Sequence, residues 1–157
     1  MSSYFNSIAC CINLTENNDD IIDYTREMAK LTGAKILLVH VLPPASSFAN
    51  YGASRELLMK VAAESRIETE KRVKELANEH FGDLNCEPLI LTGSVDAALT
   101  ELVDKSCADL VIMGSLNSTG LFNFSGKTTA RLIGKSRVPV MIIPNDLSLE
   151  CAPAEDF

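Results

Sequence analysis

The chain has 157 residues, 46% of them hydrophobic, and a formal net charge of −7. That size and apolar content suit one domain with a full core, and an acidic balance with no Lys or Arg cluster excludes a nucleic-acid surface, which needs a basic patch. No apolar run approaches the roughly 18 residues of a membrane span, and the first residues lack the basic segment of a secretory leader.

Five cysteines, Cys10, Cys11, Cys86, Cys107 and Cys151, are an odd number and contain no C-x-x-C pair. They read as small thiols in a reducing cytosol, so a cytoplasmic home is expected. Adjacent Cys10 and Cys11 should point to opposite faces of a strand. Cys151, in the tail, is the one candidate for a redox role.

Residues 7–12 are a short apolar run fit for a buried strand. Residues 15–20 supply capping groups and negative charge for a helix start. Ile21, Thr25, Met28 and Ala29 then fall on one helical stripe, which Gly33 ends. Residues 35–42 form a second strand, stopped by Pro43-Pro44, and residues 45–53 a loop. Residues 54–80 predict a long helix with Val73, Leu76 and Ala77 on one face, its Glu and Lys side chains solvated, closed by Gly82. Residues 87–92 make a third strand, with Pro88 marking its start or an edge. Ser94 caps a helix whose Val95, Ala98, Leu99, Leu102 and Val103 share a stripe. The fourth strand is 110–113, the fourth helix about 127–136 and the fifth strand 138–143.

Strands apolar throughout, alternating with amphipathic helices, predict a parallel α/β sheet covered on both faces, with right-handed crossovers. One domain is expected over 1–144, followed by an acidic, flexible tail over 145–157.

The functional signal lies in Gly114–Thr129, GSLNSTGLFNFSGKTT, where a buried strand passes through small residues into a helix opening with Gly-Lys-Thr-Thr. Helix N-termini present free N–H groups and partial positive charge, a natural phosphate seat. Gly120…Gly126-Lys127-Thr128 is near a P-loop, but five residues intervene between the glycines where G-x4-G-K-[ST] has four. The extra residue changes which N–H groups converge, so a P-loop NTPase is set aside. The plainer alternatives are a turn at Gly114, a helix entrance at Gly126, ordinary caps at Thr128 and Thr129, a solvated Lys127, and an Asn13 that only caps a turn. His40 has no Ser, Cys or carboxylate signature beside it. His40 and His80 lie too far apart in sequence for ligand spacing, so no metal site is expected.

Several stretches in register resemble the universal stress protein family, from the first strand to about Pro144. Leu38-Val39-His40-Val41 resembles its L-x-H-V. Ala108-Asp109-Leu110-Val111-Ile112-Met113-Gly114-Ser115 is similar to A-D-L-I-V-M-G-S, and Ser136-Arg137-Val138-Pro139-Val140-Met141-Ile142-Ile143-Pro144 to its C-P-V-L-V-V-P ending. The resemblance implies a Rossmann-like, adenine nucleotide alpha hydrolase-like sheet of strand order 3-2-1-4-5. It also implies a cytosolic stress-response regulator binding an adenine nucleotide, ATP above all, with magnesium accompanying it, and a homodimer joined through Val138, Val140 and Ile142 of the last strand. By the same resemblance Asn13, Val41 and Met113 line a base and ribose pocket, and Gly114, Asn117, Gly126, Lys127, Thr128 and Thr129 surround the phosphates. The chain departs from the family's G-x2-G-x9-G-[ST]: Asn117 stands at the second glycine, eight residues separate Asn117 from Gly126, and Lys127 replaces the hydroxyl. Asn tolerates positive φ, and Lys127 adds positive charge. The alternative is the same fold with a degenerate site, acting as a dimeric interaction protein. With no metal-holding carboxylate pair or general base legible, an enzyme is not expected beyond slow incidental hydrolysis.

Overall fold

The computed structural model describes residues 4–47, 52–105, 108–115, 126–144 and 155, apart from the side chains of 126–129. Strands β1 (Ser7–Cys11), β2 (Lys35–Leu42), β3 (Cys86–Thr92), β4 (Leu110–Gly114) and β5 (Val140–Ile143) alternate with helices α1 (Asp19–Thr32), α2 (Arg55–Phe81), α3 (Val95–Asp104) and α4 (Gly126–Lys135). The sheet runs β3-β2-β1-β4-β5, and every pairing is parallel. This is the open α/β architecture that the alternation of strand and helix predicts.

Burial on both faces explains why the strands are apolar throughout. Ile8, Cys10, Ile36, Leu38, Leu110 and Ile112 meet Ile22 and Ala29 of α1 and Val73, Ala77 and Phe81 of α2. Their neighbours Ala9, Cys11, Leu37, Val39, Val111 and Met113 meet Leu99, Leu102 and Val103 of α3 and Leu132 of α4. Cys10 and Cys11 thus face opposite layers, as strand alternation requires. Burial pushes the Cys10 thiol up to about 12 and the half-buried Cys86 to about 11. Burial raises Cys11 as well, so these three stay protonated and unreactive at neutral pH. Cys107 and Cys151 lie outside the described residues.

Helix α1 closes as expected, with Gly33 in the left-handed region at φ 72°. Its buried stripe, however, is Ile22, Thr25 and Ala29, with Ile21 and Met28 half-buried beside it. Gly82 ends α2 at φ −62°, without a left-handed turn. There Arg26 of α1 forks onto Asp83, at 2.8 and 3.0 Å, and also donates to the His80 carbonyl. That guanidinium holds the Asp83 carboxyl down at about 2.

The last strand is shorter than its apolar run. Ser136 Oγ donates to the Val138 carbonyl at 2.8 Å and accepts from Val138 N–H at 3.3 Å. Local bonding of this kind competes with a ladder, and Pro139 has no N–H to offer one. Val138 therefore precedes β5 instead of opening it.

Candidate functional site

Because β1 pairs with both β2 and β4, the chain changes direction across the sheet at β1. Open α/β sheets leave a crevice at that point, beyond the C-terminal strand ends. A cavity of about 310 Å³ lies one strand to the side, between the ends of β1 and β2 and beneath α2. Asn13 and Val41, both expected in the base pocket, line it.

Asn13 sits in a loop that its neighbours fix. Buried Asn18 accepts from Asn13 N–H through Oδ1 at 3.0 Å. Its Nδ2 donates to the Asn13 and Glu16 carbonyls at 2.8 and 3.0 Å. Asn18 precedes α1 but spends its side chain on this loop instead of capping the helix. Asn13 Oδ1 accepts from Thr15 N–H at 3.1 Å and from Thr15 Oγ1 at 2.9 Å. The turn-capping role is therefore real, and it consumes the acceptor. The Asn13 side-chain NH2 has no partner among the described residues, although the residue is only 6% exposed. An unpaired polar group so buried costs free energy, roughly 1–3 kcal/mol.

His40 follows Leu38 by two residues and so stands on the α2 side of the sheet. Its Nδ1 lies 3.2 Å from the Ile12 carbonyl. A carbonyl only accepts, so Nδ1 carries the proton and Nε2 of the neutral ring is an acceptor. Burial, with the Arg72 charge acting in the same direction, lowers the His40 pKa and keeps the ring neutral.

The opposite wall was not legible in the sequence. Ser65, Glu68, Thr69 and Arg72 of α2 line the cavity; Ser65, Glu68 and Arg72 are exposed, as a solvated helix face requires, and Thr69 alone of the four is buried. Thr69 is only 8% exposed, and its hydroxyl has no hydrogen bond among the described residues. Glu68 and Arg72 enter no ion pair among those residues, whereas Arg66 bonds Glu70 and Thr92. The available signal was Thr69 itself, a polar residue on the inward stripe that continues through Val73, Ala77 and Phe81.

The other expected site residues are placed elsewhere. Met113 is fully buried, with its side chain in the α3 and α4 layer. Gly114 borders a second cavity of about 290 Å³ with Glu16, Asp20 and Ile21. A Cβ on Gly114 would stand 3.0 Å from Ile21 Cδ1, so the glycine lets α1 approach the end of β4. Gly126 is the first residue of α4, and Lys127, Thr128 and Thr129 complete its first turn. The side chains of those three, and Asn117 altogether, lie outside the described residues. Among the described residues no grouping of His, Cys, Asp and Glu suits a metal ion, and no helix is long and apolar enough to cross a membrane.

The universal stress protein family model matches residues 5–144. Universal stress protein MJ0531 of Methanocaldococcus jannaschii is 29% identical over 119 residues, spanning 74% of this chain and 68% of that one. Among solved structures, hypothetical protein MJ0577 superposes with a TM-score of 0.66 at 22% identity, over 94% of this chain and 100% of that one. A universal stress protein family protein from Arabidopsis thaliana with AMP bound gives 0.59 at 20%, over 90% and 93%. Two more with the same fold, each at 16% identity, are complexes: one from Archaeoglobus fulgidus with dAMP, TM-score 0.61, covering 90% and 99%, and one with cAMP, TM-score 0.58, covering 90% and 98%.

Proposed function

Because the chain belongs to the universal stress protein family, we propose that it binds an adenine nucleotide at the C-terminal ends of its central strands. In this reading the adenosine part occupies the cavity lined by Asn13 and Val41. The phosphates reach the first turn of α4 at Gly126, since a helix N-terminus leaves its first N–H groups without intrahelical partners. ATP is the first candidate, with magnesium accompanying it. The protein acts in the cytosol as a ligand-gated regulator of a stress response. One observation carries the reading: Asn13 is 6% exposed, lines a cavity, and keeps a donor with no partner among the described residues. The AMP, dAMP and cAMP complexes of proteins with this fold support the class of ligand.

Two experiments test it. Mass spectrometry of the purified native protein should find a co-purified adenine nucleotide. Calorimetry should then show Gly126→Val and Lys127→Glu each weakening ATP binding tenfold or more, about 1.4 kcal/mol. No heat and no thermal shift with millimolar ATP or AMP would refute nucleotide binding and favour the interaction-only reading. The site acts without enzyme-like turnover, and a steady-state ATPase rate of about 1 per second or faster would overturn that.

The functional unit is a homodimer joined along β5. This strand is one edge of the sheet, it carries no charge, and an apolar edge invites pairing with another chain. The contact is two-fold, so Val140 and Ile142 lie near their symmetry mates. Val140→Lys should dissociate it in light scattering, and a wild-type mass near the monomer's 17.0 kDa at micromolar concentration would refute it.

A further inference from the structure

The end of β1, strand β2 and helix α2 bring the cavity a set of polar groups that the Asn13 turn does not use. Three of them have no partner among the described residues: the Asn13 NH2, His40 Nε2 and the Thr69 hydroxyl. They come from the end of β1, from β2 and from α2, and all three residues line the same space of about 310 Å³. One is a donor only, one an acceptor only, and one serves as either. An exocyclic amino group beside an unprotonated ring nitrogen offers the matching donor and acceptor side by side.

Resting on the nucleotide reading above, we propose that β2 and α2 read the base: His40 Nε2 accepts from its exocyclic amino group, Asn13 Nδ2 donates to the adjacent ring nitrogen, and Thr69 Oγ1 makes a third contact. A site built to bond such an edge rejects an analogue lacking it, because its buried groups are then left unpaired. With Oδ1 spent on Thr15, the Asn13 group left for the ligand is a donor, and in this arrangement the acceptor for the amino group is His40 Nε2.

This arrangement is pH-dependent, since an imidazolium has no acceptor. Around His40, β1 contributes the Ile12 carbonyl, β3 its register partner Ile90, and α3 Val95, none of them ionisable. The charged groups facing the cavity are Glu68 and Arg72 of α2. Arg72 disfavours protonation of His40, so acceptance should hold at neutral pH and fade below the ordinary imidazole range.

Calorimetry on the full chain with adenosine and purine riboside, which lacks only the amino group, tests the proposal and avoids phosphate titration. Adenosine should bind tenfold or more tighter at pH 8, and the preference should narrow as the pH falls to 4.5. His40→Phe should bring adenosine down to the purine riboside level. Thr69→Val should weaken both ligands about threefold or more, and Thr69→Ser should restore them. Equal affinities at pH 8, with AMP still bound, would overturn the base-reading arrangement and leave nucleotide binding standing. A preference that stays flat down to pH 4.5 and survives His40→Phe would remove His40 from it. Unchanged binding in Thr69→Val would remove Thr69. No heat with adenosine, purine riboside or AMP would overturn both readings.

Discussion

The two halves of α2 have similar sequence chemistry and opposite fates. From Thr69 to Phe81 the helix buries Thr69, Val73, Ala77 and Phe81 against the sheet. From Arg55 to Glu68 it buries nothing, leaving Leu57, Met59, Val61 and Ile67 between 46% and 69% exposed. Length explains the difference. A helix of 27 residues is about 40 Å long at 1.5 Å per residue, whereas the eight-residue β2 reaches only about 26 Å. The outer half overhangs the strand ends, and the cavity lies where the helix leaves the sheet. A crevice wall therefore follows from a mismatch of lengths.

The sharpest way to break this contrast is Phe81→Ala, which empties a fully buried site and should cost about 3–5 kcal/mol in urea unfolding. A loss below about 1 kcal/mol would mean that the inner half does not anchor the domain. At the junction, Thr69→Val replaces a hydroxyl that has no partner among the described residues with a methyl, so folding should be unchanged or up to about 1 kcal/mol more stable, even as ligand affinity falls. Loss of stability there would show that the hydroxyl has a structural partner.

A smaller effect is expected where the inner half ends. Asp83→Asn removes the exposed ion pair with Arg26 and should lower the thermal midpoint slightly at pH 7, less in high salt. Because Arg26 holds the folded-state pKa of Asp83 down at about 2, its contribution is complete above the unfolded carboxylate value, roughly 3.9. It fades as the pH falls through about 2, so variant and wild type should converge there. The least effect belongs to the overhang: Ile67→Ser should stay within about 0.5 kcal/mol. A larger loss in thermal unfolding would mean that this surface is covered in solution.

Most of the fold was legible because strands buried on both faces leave unbroken apolar runs, and residues 35–42 match β2 end to end. Two departures from the expected pattern are places where a side chain bonds nearby backbone. Ser136 with Val138 shortens β5, and Asn18 serves the Asn13 loop in place of the α1 cap. The site was half legible. Asn13 and Val41, which the resemblance placed in the base pocket, stand at strand ends and line the cavity. The α2 wall was hidden because its Glu68 and Arg72 are exposed charges like Arg66, and only the fold sets them beside the cavity. Periodicity ranks residues by apolar character, so it passes over a buried threonine on the core stripe.

The position of β1 also bears on how the chain acquires its shape during synthesis. Strand β1 is made before the other four strands of this sheet yet lies in its middle, and its Ile8 pairs with Leu110. The same junction is fastened by Asp109, whose carboxylate accepts from the Asn6 and Ser7 N–H groups at 2.8 and 3.0 Å. A nascent chain that has emerged only as far as α3 carries β1 with one flank unpaired, open to any other extended segment. Such long-range closure slows folding. Ribosome-bound intermediates ending before β4 should therefore be protease-sensitive, and protection should rise abruptly once β4 clears the exit tunnel.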